Sequence, residues 1–303
     1  MKKALSTPNK LLLMVSPFVV FAFVFHYLPL AGWYFAFVDY QPGSSPTEMP
    51  FVGLKWFRAL ISSQEQVHTI LRVLANTLGM SFLGIASSIL PLIFAIFLYE
   101  LRSSKLRRFV QTVSTAPNFV SWVLVYALVF AFLSVDNGVV NNVLTRMGVI
   151  SAPINFLISS DHLWIKMTLL GIWKGLGWSA IMYLAAINGI DQEQYEAAAI
   201  DGAGRFKQTL HVTVPGLMPT FFVLLLLAIA NIINTGMDQY FVFSNAMTAD
   251  SIEVLDLYTY NTGIVSGNFS FATVVSILKT VVSLALLFSV NRISKSVRGE
   301  SIF

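Results

Sequence analysis

An all-α polytopic membrane protein with six transmembrane helices is the fold class this chain predicts, and three observations predict it. Hydrophobic residues make up 56% of the 303 positions and charged residues only 11%, where an ordinary soluble domain is about 25% charged. The apolar residues gather into long runs, several of them near the roughly 20 residues a helix needs to cross a bilayer. Most of the Lys and Arg residues lie between those runs, not inside them.

Taken in order, Lys2, Lys3 and Lys10 precede an apolar run from Leu11 to Phe37. That run exceeds the ~7–15 residues of a cleavable signal core, so it is expected to remain as the first span, kinked at Pro17 and Pro29. The stretch from Asp39 to Arg72 is polar, rich in Pro and Gly around Pro42-Gly43-Ser44-Ser45-Pro46, with an amphipathic piece from Leu54 to Leu60. Val73 to Tyr99 fits a second span, followed by a basic loop with Arg102, Lys105, Arg107 and Arg108. Val110 to Leu133 fits a third, interrupted by Pro117. Leu163 to Ile187 fits a fourth, Leu217 to Ile233 a fifth and Phe271 to Val290 a sixth. Gly236 to Ser270 reads as a long polar loop without Lys or Arg. Gly171 and Gly175 form a G-x-x-x-G on the fourth span, a pattern that permits close helix packing and also arises often by chance.

Basic residues set the orientation. Twelve (Lys2, Lys3, Lys10, Arg102, Lys105, Arg107, Arg108, Arg205, Lys207, Arg292, Lys295, Arg298) fall on one side and four (Lys55, Arg58, Arg72, Arg146) on the other. Both termini and the loop before the fifth span are therefore expected in the cytoplasm, and the loop from Gly236 to Ser270 outside.

Several chemistries are excluded. There is no cysteine, hence no disulfide, thiol catalysis or thiolate metal site, and the four histidines are isolated. No G-x-x-x-x-G-K-[ST] phosphate loop occurs, so the chain is not expected to hydrolyse ATP. No nucleophile–base pattern marks an enzyme, and the scattered basic residues give no nucleic-acid signal. Ionisable residues inside spans are functional candidates by default; Lys174 and Lys279 qualify, while Lys166 is near enough to an end to snorkel. No Asp or Glu lies well inside a span, which argues against a proton- or sodium-coupled carrier, the rival reading from another class. A receptor or scaffold without transport is the third.

The most informative stretch is Gln194-Tyr195-Glu196-Ala197-Ala198-Ala199-Ile200-Asp201-Gly202-Ala203-Gly204-Arg205-Phe206-Lys207, continuing to His211-Val212-Thr213-Val214-Pro215. The Ala run suits a short helix that another surface can approach closely. Gly202 and Gly204 supply freedom for a tight turn, and Pro215 fits the first turn of a new helix. By itself this is a helical hairpin between two spans. The pattern E-A-A, three residues, G, nine residues, then Val212-Thr213-Val214-Pro215 resembles the cytoplasmic loop of ABC importer permeases, which reads E-A-A-x3-G-x9-I-x-L-P. The departures are two conservative replacements by Val.

That resemblance implies a five-helix permease core with a cytoplasmic coupling helix that docks on a separate ATPase. Glu196, Ala197, Ala198, Asp201, Gly202, Arg205 and Pro215 are the residues expected to couple. Residues 1–70 would hold the first span and an outer loop, 71–291 the permease core and 292–303 a cytoplasmic tail. The implied partners are a homologous second permease, two ATPase subunits that bind ATP and Mg, an extracytoplasmic solute-binding protein and membrane lipid, in a bacterial plasma (inner) membrane; no cofactor is expected on this chain.

For the translocation path, Asn231 and Asn234 are three apart on the expected fifth span, and Asp238 continues their face. Buried amides are costly in lipid unless they face protein or water. Lys174, Trp178 and Met182 share a face of the fourth span. Amides plus a flat ring suit sugars, although amides also serve as ties between helices, and Lys174 equally suits backbone carbonyls or a neighbouring subunit. Trp173-Lys174-Gly175-Leu176-Gly177-Trp178, Tyr183-Leu184-Ala185-Ala186-Ile187 and Tyr260-Asn261-Thr262-Gly263 followed by Phe271-Ala272-Thr273 resemble oligo- or polysaccharide importers of the maltose-type superfamily. The resemblance implies an oligosaccharide substrate met by the spans on either side of the docking loop.

Overall fold

The structure, a computed structural model, describes residues 7–43 and 49–298. Lys2 and Lys3, the Ser44-Ser45-Pro46 part of the outer loop and the last five residues of the tail lie outside the described residues. Among the described residues the chain is helical, with one isolated antiparallel bridge between Val38 and Phe51. Five helical runs are long and apolar enough to cross a membrane, and a sixth crossing is available from a sharply bent pair. Two compact units are distinguished, Met1–His68 with Thr259–Thr280 and Thr69–Tyr258 with Val281–Phe303.

In the first unit, α1 (Thr7–Ala22) passes through a π turn (Phe23–Tyr27) into a 3-10 segment (Leu28–Phe37). Pro17 sits inside α1 and Pro29 opens the 3-10 segment, so at Pro29 the expected kink takes the form of a change in helix type. The short helix α2 (Lys55–Ala59) lies under an ion pair from Lys55 to Asp39 at 2.9 Å. Ser270 Oγ donates to the Val38 carbonyl at 2.7 Å and accepts from the Tyr40 N–H at 3.0 Å.

α3 (Gln64–Ala86) starts nine residues before the expected Val73. Ser63 accepts from the Gln66 N–H at 3.1 Å, and Ser63 with Gln66 three residues on is a helix-start signature that the reading of an outer loop overlooked. α3 runs on through a break at Ser87–Ser88 into α4 (Ile89–Glu100). The third expected span is not one helix. α5 (Ser104–Thr115), a 3-10 turn (Ala116–Phe119) and α6 (Trp122–Leu133) are bent by 106°. Pro117 lacks the N–H that would continue α5, and Ser121 caps the new helix by accepting from Leu124 N–H at 3.4 Å. α7 (Val139–Arg146) comes next, its loop gathered by the buried Asn141, which accepts from the Ile154 N–H at 2.9 Å.

α8 (Leu163–Asn188) matches its expected span to within a residue. α9 (Gln192–Ile200) and a turn lead to α10 (Arg205–Gln208), a π turn (Thr209–Thr213) and α11 (Val214–Ala230), which together form one run of 26 residues. Pro215 lies in the first turn of α11 as expected, although α11 follows the π turn without a break. The wider π turn just before it accommodates a residue that cannot donate to the carbonyl ladder. The fifth span also stops three residues earlier than expected. Beyond it, α12 (Asp238–Phe243), α13 (Ala249–Ile252), α14 (Leu255–Tyr260) and a π turn (Asn261–Val265) replace the expected plain loop, and α15 (Phe269–Arg298) ends the described chain.

Within the second unit the core sits between α4, α8 and α11: Leu92, Ala95, Ala180, Tyr183, Ile187 and Leu217 are buried together. Ala95 and Ala180, both fully buried, let α4 and α8 approach. Gly177 does the same against α5, where a Cβ would land on the Ser114 backbone.

Candidate functional site: docking loop and translocation path

The candidate docking loop is built from its caps. Asp191 accepts from the Glu193 N–H at 3.0 Å and starts α9. At the far end the Gly202 N–H donates to Ala199 O at 3.1 Å and the Ala203 N–H to Ala198 O at 2.9 Å, the paired bonds of a Schellman stop. That stop needs a left-handed residue, and Gly202 has φ +76°. A Cβ there would meet nothing within 4 Å. Within this chain the glycine is required by its backbone angle and not by crowding. Glu196, Ala197, Asp201, Arg205 and Pro215 are exposed and Ala198 partly so. Two large apolar side chains flank the turn in the open, Ile200 at 87% and Phe206 at 79% exposure. The loop is tied back by Tyr195 Oη to Thr213 Oγ at 3.0 Å, by Thr209 Oγ donating to Glu100 at 3.0 Å and by Gln208 Nε2 donating to Ala203 O at 3.1 Å.

Two cavities lie along α8. One, of about 470 Å³, is lined among others by Ser87, Ser88, Trp178, Ser179, Met182 and Gln239. Its volume falls in the range of small-ligand sites. Trp178 is half exposed, and Phe119 meets its ring edge-to-face at 5.8 Å. Gly84, Gly171 and Gly175 also line this cavity. None of the three has a neighbour closer than 3.9 Å to the place of a Cβ, so within this chain the G-x-x-x-G of the sequence borders open space, with Gln239 Oε1 near Gly171. The second cavity, about 570 Å³, is lined by Lys174, Asp238, Asn118, Phe119 and Trp122 among others.

Of the expected path residues, the structure brings Lys174 and Asp238 together and sets Trp178 over the other cavity. Lys174 Nζ donates to Asn118 O at 2.7 Å and Pro117 O at 3.3 Å, 5.6 Å from the centre of the Trp122 ring. Its charge thus faces two carbonyls of the α5–α6 bend, of which the Pro117 carbonyl also accepts from the Val120 N–H at 3.1 Å. Asn231 and Asn234 line neither cavity. They do not share a helical face with Asp238, because α11 ends at Ala230. Asn231 turns back to donate to Leu227 O at 2.9 Å, and Asn234 donates to Ser283 Oγ at 2.9 Å. Gly236 then turns with φ +72°, its N–H on Asp256 at 2.8 Å, before Asp238 starts another helix.

Sequence reasoning missed the residues that hold the segment Ala249–Leu255. The buried Asn76 donates to Asp250 O at 2.9 Å and Glu253 O at 3.1 Å and accepts from Trp164 Nε1 at 3.3 Å, while Thr77 Oγ accepts from the Leu255 N–H at 2.8 Å. Arg72 pairs with Asp250 and with Glu253. An Asn-Thr pair inside an apolar helix was the available signal.

Comparison with known proteins now decides the family. Residues 87–299 match the model for binding-protein-dependent transport system inner membrane components. The chain belongs to that family. This permease is 36% identical over 301 residues to Protein LplB of Bacillus subtilis (strain 168), covering 99% of this chain and 93% of the relative. It is also 36% identical over 294 residues to the polygalacturonan/rhamnogalacturonan transport system permease protein YteP of the same organism, covering 97% and 90%. Among solved structures it is similar to a chain of a bacterial ABC transporter involved in the import of the acidic polysaccharide alginate, with TM-score 0.84, 30% identity and coverage of 95% and 96%. The permease is thus an inner-membrane transport component and not an enzyme. Nothing in these likenesses supports an ion-coupled carrier.

Proposed function

We propose that the chain forms half of the pore of an ATP-driven importer for oligosaccharides or polysaccharide fragments. It would pair with a homologous permease, two ATPase subunits carrying ATP and Mg, and an extracytoplasmic binding protein. The observation that carries the reading is α9 with its Gly202 stop: an exposed two-turn helix, its acidic and small residues outward, with Ile200 and Phe206 exposed beside the turn. A chain without a phosphate loop that presents such a surface takes its energy from a partner seated there. The twelve-to-four basic asymmetry favours a cytoplasmic place for this loop and for both termini.

The sugar assignment rests on the relatives' substrates and on the Trp178 cavity, whose ring and hydroxyls suit a CH face and its hydroxyl groups. Trp178 lies ten residues from the α8 end at Asn188, about 15 Å along the helix and so near mid-depth of a ~30 Å hydrocarbon layer. Purification of the native complex through a tag on this chain tests the reading. An ATPase should copurify, be lost from an inserted Ile200→Asp/Phe206→Asp double variant, and proteoliposomes should take up labelled oligogalacturonides or alginate oligosaccharides with ATP and the binding protein. Absence of any ATPase from the unaltered complex overturns it.

A further inference from the structure

The Glu100 end of α4 is held from two sides, by Arg107 of α5 and by one of the bonds that tie the loop back. From α5, Arg107 Nη2 donates to the Tyr99 carbonyl at 2.6 Å and the Leu101 carbonyl at 3.1 Å, and the guanidinium lies 5.4 Å from the centre of the Tyr99 ring. A cation there satisfies free carbonyls at the negative end of the helix dipole. From the docking side, Thr209 Oγ donates to Glu100 Oε1 at 3.0 Å. The same hydroxyl lies 3.0 Å from Arg205 O, the carbonyl four residues back. One proton serves two acceptors, one on α4 and one on the loop's own helix.

Thr209 is the first residue of the π turn and Thr213 the last. Thr213 is buried and meets Tyr195 Oη at 3.0 Å. Burial raises the Tyr195 phenol above its ordinary value, opposed in part by that Thr213 bond, so it remains protonated and able to bond. The π turn is thus gripped at one end by the docking helix and at the other by α4. A π turn holds one residue more than α register allows, so tightening it to α geometry rotates the helix on its far side by about 100°. Pro215, two residues beyond, has no N–H to lock the register. α4 then leads from Glu100 to the Ser87–Ser88 break in the cavity wall, about 18 Å away along its twelve residues.

We infer that Glu100 is the positioning residue through which movement of the docking helix reaches the α4–α5 hairpin, with the π turn Thr209–Thr213 as the element that changes register. In one state the Thr209 proton goes to Glu100 and couples the loop to α4; in the other it returns to Arg205 O and releases it. The inference rests on the reading of α9 as the ATPase-docking helix. It names the link between that helix and the path.

The chain has no cysteine, so Ser88→Cys places one thiol of this chain in the cavity wall. In the complex purified through this chain and held in lipid nanodiscs, labelling of that thiol by a charged maleimide is measured with and without Mg-ATP and orthovanadate. ATP hydrolysis is measured on the same samples. The vanadate-dependent change in labelling rate should shrink about tenfold in Glu100→Gln and in Thr209→Val, the factor expected for one hydrogen bond to a charged group, while hydrolysis continues. Thr209→Ser should restore it, and the double variant should be no worse than either single one. A full vanadate response in both single variants overturns the inference, as does a loss of hydrolysis in step with the response, which would make Glu100 a structural tie. A missing ATPase, or an unaltered complex whose Ser88→Cys labelling ignores vanadate, removes the underlying docking reading and the inference with it.

Discussion

Gly202 and Lys174 show how differently two singled-out residues are constrained. Gly202 is held by φ +76° with no atom within 4 Å of a would-be Cβ. Gly202→Asn should therefore be mild, since Asn adopts the left-handed region readily, and Gly202→Val should strain the stop by about 1–3 kcal/mol. Substrate-stimulated ATP hydrolysis by the complex in membranes reads this out: normal coupling for Asn, uncoupling for Val. Equal damage by both would show that the partner's approach, not the angle, sets the requirement. Lys174 is different, since its ammonium satisfies the Pro117 and Asn118 carbonyls. Lys174→Met should lower stability in detergent by about 1–3 kcal/mol, the penalty for leaving the Asn118 carbonyl unpaired, seen as a lower thermal midpoint. An unchanged midpoint with lost transport would return Lys174 to the path.

On the scale of an element, α8 carries two glycines two residues apart with opposite duties. A Cβ on Gly177 would meet the Ser114 backbone, whereas one on Gly175 meets open space in the cavity. Gly177→Ala should destabilise by about 1–3 kcal/mol through overpacking, and Gly175→Ala should stabilise by about 0.5–1 kcal/mol through helix propensity. Thermal unfolding of the purified chain separates the two. Gly175→Leu should instead leave the fold intact and obstruct uptake. The segment after α11 behaves as a tie: Asn234 is bonded to Ser283 of α15, so Asn234→Leu should loosen the chain in detergent before it alters substrate preference.

For the whole molecule, the expected outcome of the basic asymmetry is that reporter fusions after Lys10 and near Asn245 fall on opposite sides of the membrane, the first in the cytoplasm. Both on one side would defeat the topology. The first span, Lys10–Phe37, has no buried residue in its most apolar window, as expected of a helix whose neighbours are lipid or another subunit.

What the sequence by itself determined was the membrane class, the approximate place of the spans and the helix–Gly202–helix motif between the fourth and fifth. Composition and run length depend only on transfer from water to lipid, and the Gly202 stop depends only on local backbone geometry. The bend at Pro117 was legible as an interruption, but its 106° angle needed the contacts of the surrounding helices. The continuation of the Asn231–Asn234 face to Asp238 failed as an expectation because a period of 3.6 assumes a helix that continues, and α11 ends at Ala230, where tighter turns from Ile229 to Ile232 and from Asn231 to Asn234 take over. The G-x-x-x-G was ambiguous in the sequence: small residues permit contact or open space equally, and only the surrounding chain decides which. Tertiary structure alone joined Glu100 to Thr209, 109 residues apart, and Asn76 to Asp250, 174 apart, because pairing at such separations is set by how helices pack and leaves no periodic trace along the chain.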